Sequence, residues 1–574
     1  MKNKSKKNNH INLLIVIFIN LLIFGATNIM FDVKYEQVDD FIIYNLYSGL
    51  DGTYNLHGIY IHPLICLIIS MLYRIIPIIN WHSIFLLSMQ FICFTLIGYT
   101  ILKKHNNELA IILYIAFASI FYTTLLMLIQ YTSVAALLII TSFILFIDRV
   151  EKEEKVKIKK SILIFILYMI GIMTRMQSLL IVIPFMGLYF FINIIKYKYK
   201  TIQKDKIVTI IKYYTVYLLI TLVVLISTNI IYNSNQVYKN YMEYNDIRST
   251  LHDIIYVDYN ENKEIFDEIG WSKNDHYMFY TFNFGDENIY SKDNLQKILE
   301  YKIQKDGMYK ISTNLYEIIK RLFEEMRYSI PYMSILFIII FIISLFNKNR
   351  KKENILIFIT TILIHLLFII INRSMLRVVI PEYILGAALI MYNLKFKYKD
   401  KINDDMKNCL IVICIIVSIC MLCGNKYNYQ YKLDDYKNYQ ELINYTSNNK
   451  QNVYLYTTPA LQYRYLVYPV YKMPPKSSFS NLRVIGGWDI FTQNYYDFKD
   501  RYELDGNLLD LLKDNVYLID GNVYWSGRRF DNYKENIVFA IKENYNIKVE
   551  CREVKEFDNL KIYKVYNSED ISKK

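Results

Sequence analysis

Val38-Asp39-Asp40-Phe41 sets two adjacent carboxylates just beyond the first long apolar run, Ile11 to Met30, and shortly before a second run that opens at Ile59. Ionisable groups at the mouth of a helix bundle are costly to place and therefore mark functional positions. The same loop also carries Asp32, Glu36 and Asp51, so a solvated acidic loop accounts for these residues equally well. The rest of the chain has to decide between the two.

Outward from this loop the composition is that of a membrane protein. The chain has 574 residues, of which 54% are hydrophobic and 21% charged, and a mean hydropathy of +0.17. Apolar runs near the twenty residues needed to cross a bilayer recur along it. The net charge of +13 does not point to nucleic acid, because Lys and Arg gather in short segments between apolar runs, as the positive-inside bias predicts. Six of the seven cysteines (Cys66, Cys93, Cys409, Cys414, Cys420 and Cys423) lie in or beside apolar runs and read as small hydrophobes; only Cys551 does not. The basic stretch Lys2 to Lys7 before the first run predicts an uncleaved span with a cytoplasmic N-terminus.

Further runs are expected at about Ile59–Ile79, Ile84–Leu102, Leu109–Leu128, Tyr131–Ile147, Ser161–Ile195 and Tyr213–Tyr232. Alternation of the basic segments favours seven crossings before residue 233. Either Ser161–Ile195 crosses twice, with Arg175 at the turn, and one earlier run does not cross fully, or it crosses once and Asp148–Lys160 faces outside against a mild positive bias. Spans near Pro331–Phe346, Ile355–Ile371, Val378–Leu394 and Leu410–Leu422 follow, for a total of about eleven.

The predicted fold is thus mainly α, with a membrane bundle at 1–232 carrying the first external loop (about 31–58) and further membrane helices at 331–424. An external helical segment at 233–330 starts one of its helices at Ser272 with a capping-box pattern. Beyond 424 the pattern changes, and 425–574 reads as a small external α/β domain. Its expected helices are Tyr436–Ser447 and Lys534–Asn544, and its expected strands Asn452–Tyr456, Val516–Asp520, Ile547–Glu553 and Leu560–Val565. Gly486-Gly487 lacks the context of a nucleotide-binding loop.

Three features meet at the outer boundary in this topology: Asp39-Asp40, His57 with His62, and Arg373 with Arg377. A guanidinium binds phosphate oxygens in a fork and stays charged, while a carboxylate takes a proton from an acceptor hydroxyl. Together these suffice to move a sugar from a lipid phosphate to an acceptor. The bland alternatives are snorkelling arginines and, for Arg175, an internally paired charge. Asp39, Asp40, His57 and His62 also make a possible oxygen and imidazole set for a divalent cation, although no cofactor is certain. His82, His105, His252, His276 and His365 have no partner by spacing and read as structural or surface residues.

An acidic pair after the first span, the His62-Pro63 that opens the second, and the Arg373, Arg377, Pro381 series resemble the GT-C superfamily of multi-spanning glycosyltransferases. In particular the architecture is similar to that of the bacterial relatives of protein mannosyltransferases and aminoarabinose transferases. The resemblance covers roughly residues 1–424. It implies Asp39 or Asp40 as the catalytic carboxylate, and Arg377 with Arg373 or Arg175 on the phosphate of a polyprenyl-phosphate sugar. The acceptor it implies is a cell-envelope glycan, a teichoic acid or a protein, met at the outer face of the cell membrane. The sequence departs from many relatives in having one proline after His62 and no lysine close behind the acidic pair. A transporter or flippase of lipid-linked saccharides is the rival reading, and a polysaccharide polymerase or ligase shares the donor chemistry. A transporter places charges near the bilayer midplane, where Arg175 alone of these candidates falls.

Overall fold

The computed structural model describes the chain except residues 1, 32, 37, 106, 153–160, 308–313, 347–349, most of 395–433, 459, 461–467, 477, 522, 526–527, 531–532 and 572–574. Helix α1 (Lys2–Met30) leads to a short strand β1 (Lys34–Tyr35), α2 (Val38–Ser48) and α3 (Pro63–Ile75). Long apolar helices follow: α4 (Trp81–His105), α5 (Glu108–Phe117) continued through a π turn into α6 (Thr123–Met127), and, after β2 (Leu128–Ile129), α7 (Tyr131–Lys152). Then come α8 (Ile162–Thr174), α9 (Leu179–Lys198) and α10 (Lys204–Asn233). Among the described residues eight helices are long and apolar enough to cross a membrane, or nine when one bent pair counts as a single span.

The run expected at Ile59–Ile79 is a 13-residue helix, α3, in the structure. At about 1.5 Å per residue it is too short for a hydrocarbon core of roughly 30 Å. His62 ends it on one side by accepting the Leu64 N–H at 3.2 Å, with Pro63 in the first turn. Ser161–Ile195 breaks at Arg175, whose extended backbone separates α8 from α9. The span expected at Leu410–Leu422 falls largely outside the described residues.

Two rims define the bundle. At one, Glu151 of α7 meets Lys104 of α4 at 3.1 Å and Arg350 at 2.7 Å, and Lys196 of α9 meets Glu353 at 2.8 Å. At the other stand the first residues of α4 and α7, the last of α8, and the acidic pair. Charges at both ends and apolar side chains between them are the pattern a bilayer imposes.

Helices α11 (Gln236–Asp253), α12 (Lys263–Glu268), α13 (Lys273–Tyr280) and α14 (Lys292–Asp306) form the inserted segment. The capping box at Ser272 is present, with Asp275 bonding back to the Ser272 N–H. Next, α15 (Leu315–Glu324) and a π turn bend by 105° into α16 (Pro331–Leu345). They are followed by α17 (Lys351–Ile370) and α18 (Leu376–Asn393).

Beyond the bundle, α19 (Asp434–Asn448), β3 (Val453–Tyr456), β4 (Leu482–Val484), α20 (Gln493–Tyr502), β5 (Val516–Gly521), a hairpin of β6 (Val523–Trp525) and β7 (Arg528–Phe530), α21 (Lys534–Tyr545), β8 (Val549–Phe557) and β9 (Leu560–Asn567) make an α/β unit. Its five-stranded sheet runs β4-β3-β5-β9-β8, with β3 parallel to β4 and β5 and the last two strands antiparallel. Strand β4 escapes the sequence reading because buried Arg483 sits at its centre and breaks the apolar run. Segments 233–330 and 425–574, far apart in the chain, share one hydrophobic core that joins Trp271, Phe279 and Leu295 to Val516, Leu518 and Ile541.

Candidate functional site

Local sequence places both carboxylates of the acidic pair in the first turn of α2, where the helix dipole favours negative charge. Consecutive helical residues point about 100° apart, so the two face different surroundings. Asp40 is fully buried, and its Oδ1 lies 2.9 Å from His82 Nε2. It also accepts the backbone N–H of Tyr131, the first residue of α7, at 3.2 Å. The opposite nitrogen of His82 bonds the hydroxyl of Tyr47. Burial pushes the Asp40 carboxyl above the usual carboxylate range, and the hydrogen bond from His82 opposes this. Asp40 thus ties α2, α4 and α7 together at their common rim.

Asp39 keeps 21% side-chain exposure, with its Oδ2 3.6 Å from Nη1 of Arg377, the second residue of α18. Its Oδ1 accepts the indole N–H of Trp488 at 3.2 Å. Partly buried Glu36 also faces Arg377, and burial pushes its carboxyl up to about 7 against the pull of that guanidinium. Arg175, half-buried at the helix break, lies 4.5 Å above the Tyr60 ring and 5.6 Å from that of Tyr131. Tyr60 in turn lies 5.1 Å from Trp488. Asp39, Arg377, Arg175, Tyr60, Tyr131 and Trp488 are thus joined by one run of contacts, partly open to solvent at Asp39, Arg377, Arg175 and Tyr60.

The other expected site residues have partners of their own. Arg373 pairs with Asp253 at 3.5 Å, joining the start of α18 to the end of α11. His57 stacks on Tyr238 at 3.8 Å, and burial lowers its imidazole to about 4. His62 caps α3 and meets the Ser227 hydroxyl at 3.0 Å, with burial lowering its imidazole too. The acidic pair and these histidines are not brought together, and among the described residues no group of three or more His, Cys, Asp or Glu is placed to hold a metal ion.

Five participants lie beyond the sequence reading: Tyr60, Tyr131, His82, Glu36 and Trp488. His82 was assigned no partner because spacing along the chain does not reveal a contact with Asp40 on another helix. Trp488 directly follows the noted Gly486-Gly487, yet only the packing of the α/β unit onto the bundle brings it to Asp39. His365 likewise has partners, Glu325 Oε2 at 3.1 Å and the Tyr383 hydroxyl at 3.0 Å.

No family model matches the sequence, and no curated protein matches it. Among solved structures the chain is similar to the crystal structure of ArnT from Cupriavidus metallidurans bound to undecaprenyl phosphate. The identity is 8% and the TM-score 0.39, over 96% of this chain and 97% of that one.

Proposed function

We propose that this protein is a membrane glycosyltransferase that moves a sugar from a polyprenyl-phosphate donor to a cell-envelope acceptor at the outer face of the membrane. The observation that carries the reading is the Asp39–Arg377 pair, a partly exposed carboxylate 3.6 Å from a guanidinium at the rim of an apolar bundle, with Arg175 joined to it through Tyr60 and Trp488. Asp39 is the base: it takes the proton of the acceptor hydroxyl as the oxygen attacks the anomeric carbon. The bond from that carbon to the phosphate oxygen breaks, and its electrons stay on the phosphate. Arg377 and Arg175 stabilise the charge developing there. Asp40, buried and held by His82, keeps α2 in place and so acts through Asp39. Arg373 is a further phosphate candidate only when it leaves Asp253.

The test is transfer of labelled sugar from a panel of polyprenyl-phosphate sugars to envelope extracts by purified wild type, Asp39→Asn, Asp40→Asn and Arg377→Ala. Transfer by the wild type that collapses in Asp39→Asn, with folding intact, supports the assignment; undiminished transfer in that variant removes it.

One observation favours the transporter reading. Glu382 lies fully buried within α18, with no ion pair among the described residues. A carboxyl at such a depth is what ion coupling uses. Binding of lipid phosphate without turnover would favour this alternative.

A further inference from the structure

The loop that follows β4 runs Ile485-Gly486-Gly487-Trp488-Asp489 and is held from two sides. A Cβ on Gly486 would lie 2.1 Å from the Phe282 carbonyl oxygen, and one on Gly285 would lie 1.5 Å from that of Ile485. The two backbones thus touch where side chains are absent, and this fastens the loop to the inserted segment. From α11, the Tyr241 hydroxyl donates to the Trp488 carbonyl at 2.7 Å. The Trp488 indole, so held, reaches across to the bundle and donates to Asp39 Oδ1 at 3.2 Å. Its ring packs against Tyr60, which is half-buried beneath Arg175.

The two oxygens of Asp39 are therefore held differently. Oδ1 takes a neutral donor from the α/β unit, whereas Oδ2 faces a guanidinium at the long separation of 3.6 Å. A phosphate competes for a guanidinium, because a fork of N–H donors matches its oxygens. The indole N–H of Trp488 is a single neutral donor that offers no such fork.

We infer that Trp488 is a positioning residue that keeps the Asp39 carboxylate oriented when a donor phosphate draws Arg377 away, leaving Oδ2 open to the acceptor hydroxyl. This rests on the transferase reading above. It makes the α/β unit part of the catalytic device, and it makes the donor bind before the acceptor is activated. Trp488 touches neither reacting atom in this scheme; it acts through Asp39.

The test pairs kinetics with a readout that needs no turnover. Trp488→Phe keeps an aromatic ring and loses the N–H, while Trp488→His retains a ring donor. The expected result is a fall in kcat of roughly tenfold to a hundredfold in Trp488→Phe, with donor KM within about twofold and partial recovery in Trp488→His. An unchanged kcat, or a loss carried by donor KM alone, overturns the positioning role. In parallel, the emission of Trp488, taken as wild type minus Trp488→Phe, is expected to change on adding polyprenyl phosphate and in Asp39→Asn. Emission that is the same in Asp39→Asn overturns the contact itself. Should no donor support transfer while the emission responds to both, the transferase reading falls and the contact of Trp488 with Asp39 stands.

Discussion

Asp39 and Asp40 are chain neighbours with opposite surroundings, and substitution is expected to separate them. Asp40→Asn removes the negative charge that accepts from His82 and from the Tyr131 N–H inside the bundle, and puts an amide NH2 donor in place of one oxygen. Hydrogen bonds to a charged group are worth about 1.5–3 kcal/mol, so this variant is expected to melt at lower temperature and to lose activity with its fold. Asp39→Asn, at the partly open site, is expected to melt within a degree or two of wild type while transferring no sugar. Equal melting shifts for both variants would contradict the division of roles. Glu36 adds a pH dependence, because burial raises its carboxyl from 4.5 to about 7 beside Arg377. Below that value it is neutral, and above it the carboxylate competes with the donor phosphate for the guanidinium. Donor affinity is therefore expected to weaken as pH rises through about 7, measured with a sugar phosphodiester whose own charge is constant there. Glu36→Gln is expected to flatten the profile. The sign for stability follows the same direction: a raised carboxyl binds its proton more tightly when folded, so this contribution is present at low pH and is lost between 4.5 and about 7.

Single elements place the site by where they start and stop. The break at Arg175 exists because α8 ends there and the backbone extends, turning what reads as one long apolar run into two helices with a cation between them. Pro63 and His62 end the possibility of a longer α3 at its first turn. The loop after β4 depends on glycine in the same local way. Gly486→Ala forces a methyl against the Phe282 carbonyl and is expected to cost about 1–3 kcal/mol and to displace Trp488. Lower melting temperature together with reduced transfer would fit; a variant with wild-type melting and kinetics would show that the close backbone contact is dispensable.

At the scale of the whole molecule, the proposed orientation assigns the two rims to opposite sides of a membrane. Lys200, exposed after α9, lies on the side of the Lys196–Glu353 pair, and Glu569, exposed after β9, belongs to the α/β unit that reaches Asp39. A membrane-impermeant maleimide is expected to label Glu569→Cys in intact cells and Lys200→Cys only after permeabilisation. The reverse pattern would invert the proposed orientation. The shared core of the inserted segment and the α/β unit also predicts that they unfold as one cooperative body in calorimetry. Two separate transitions for them would contradict it.

By itself the sequence determined the membrane class, the alternation of apolar helices and basic segments and most strands of the α/β unit, and it named Asp39, Arg377 and Arg175, which the fold brings near one another. These follow from apolar run length, charge and periodicity, which are local and survive without a partner. Tertiary structure alone decided which carboxylate of the pair is buried, that His82 is its partner, and that Trp488 closes on the other. It also gave His57, His62 and Arg373 partners of their own in Tyr238, Ser227 and Asp253. The physical reason is that a hydrogen bond such as Trp488 to Asp39 joins residues 449 positions apart, and its partner is set by packing between units rather than by any pattern near either residue.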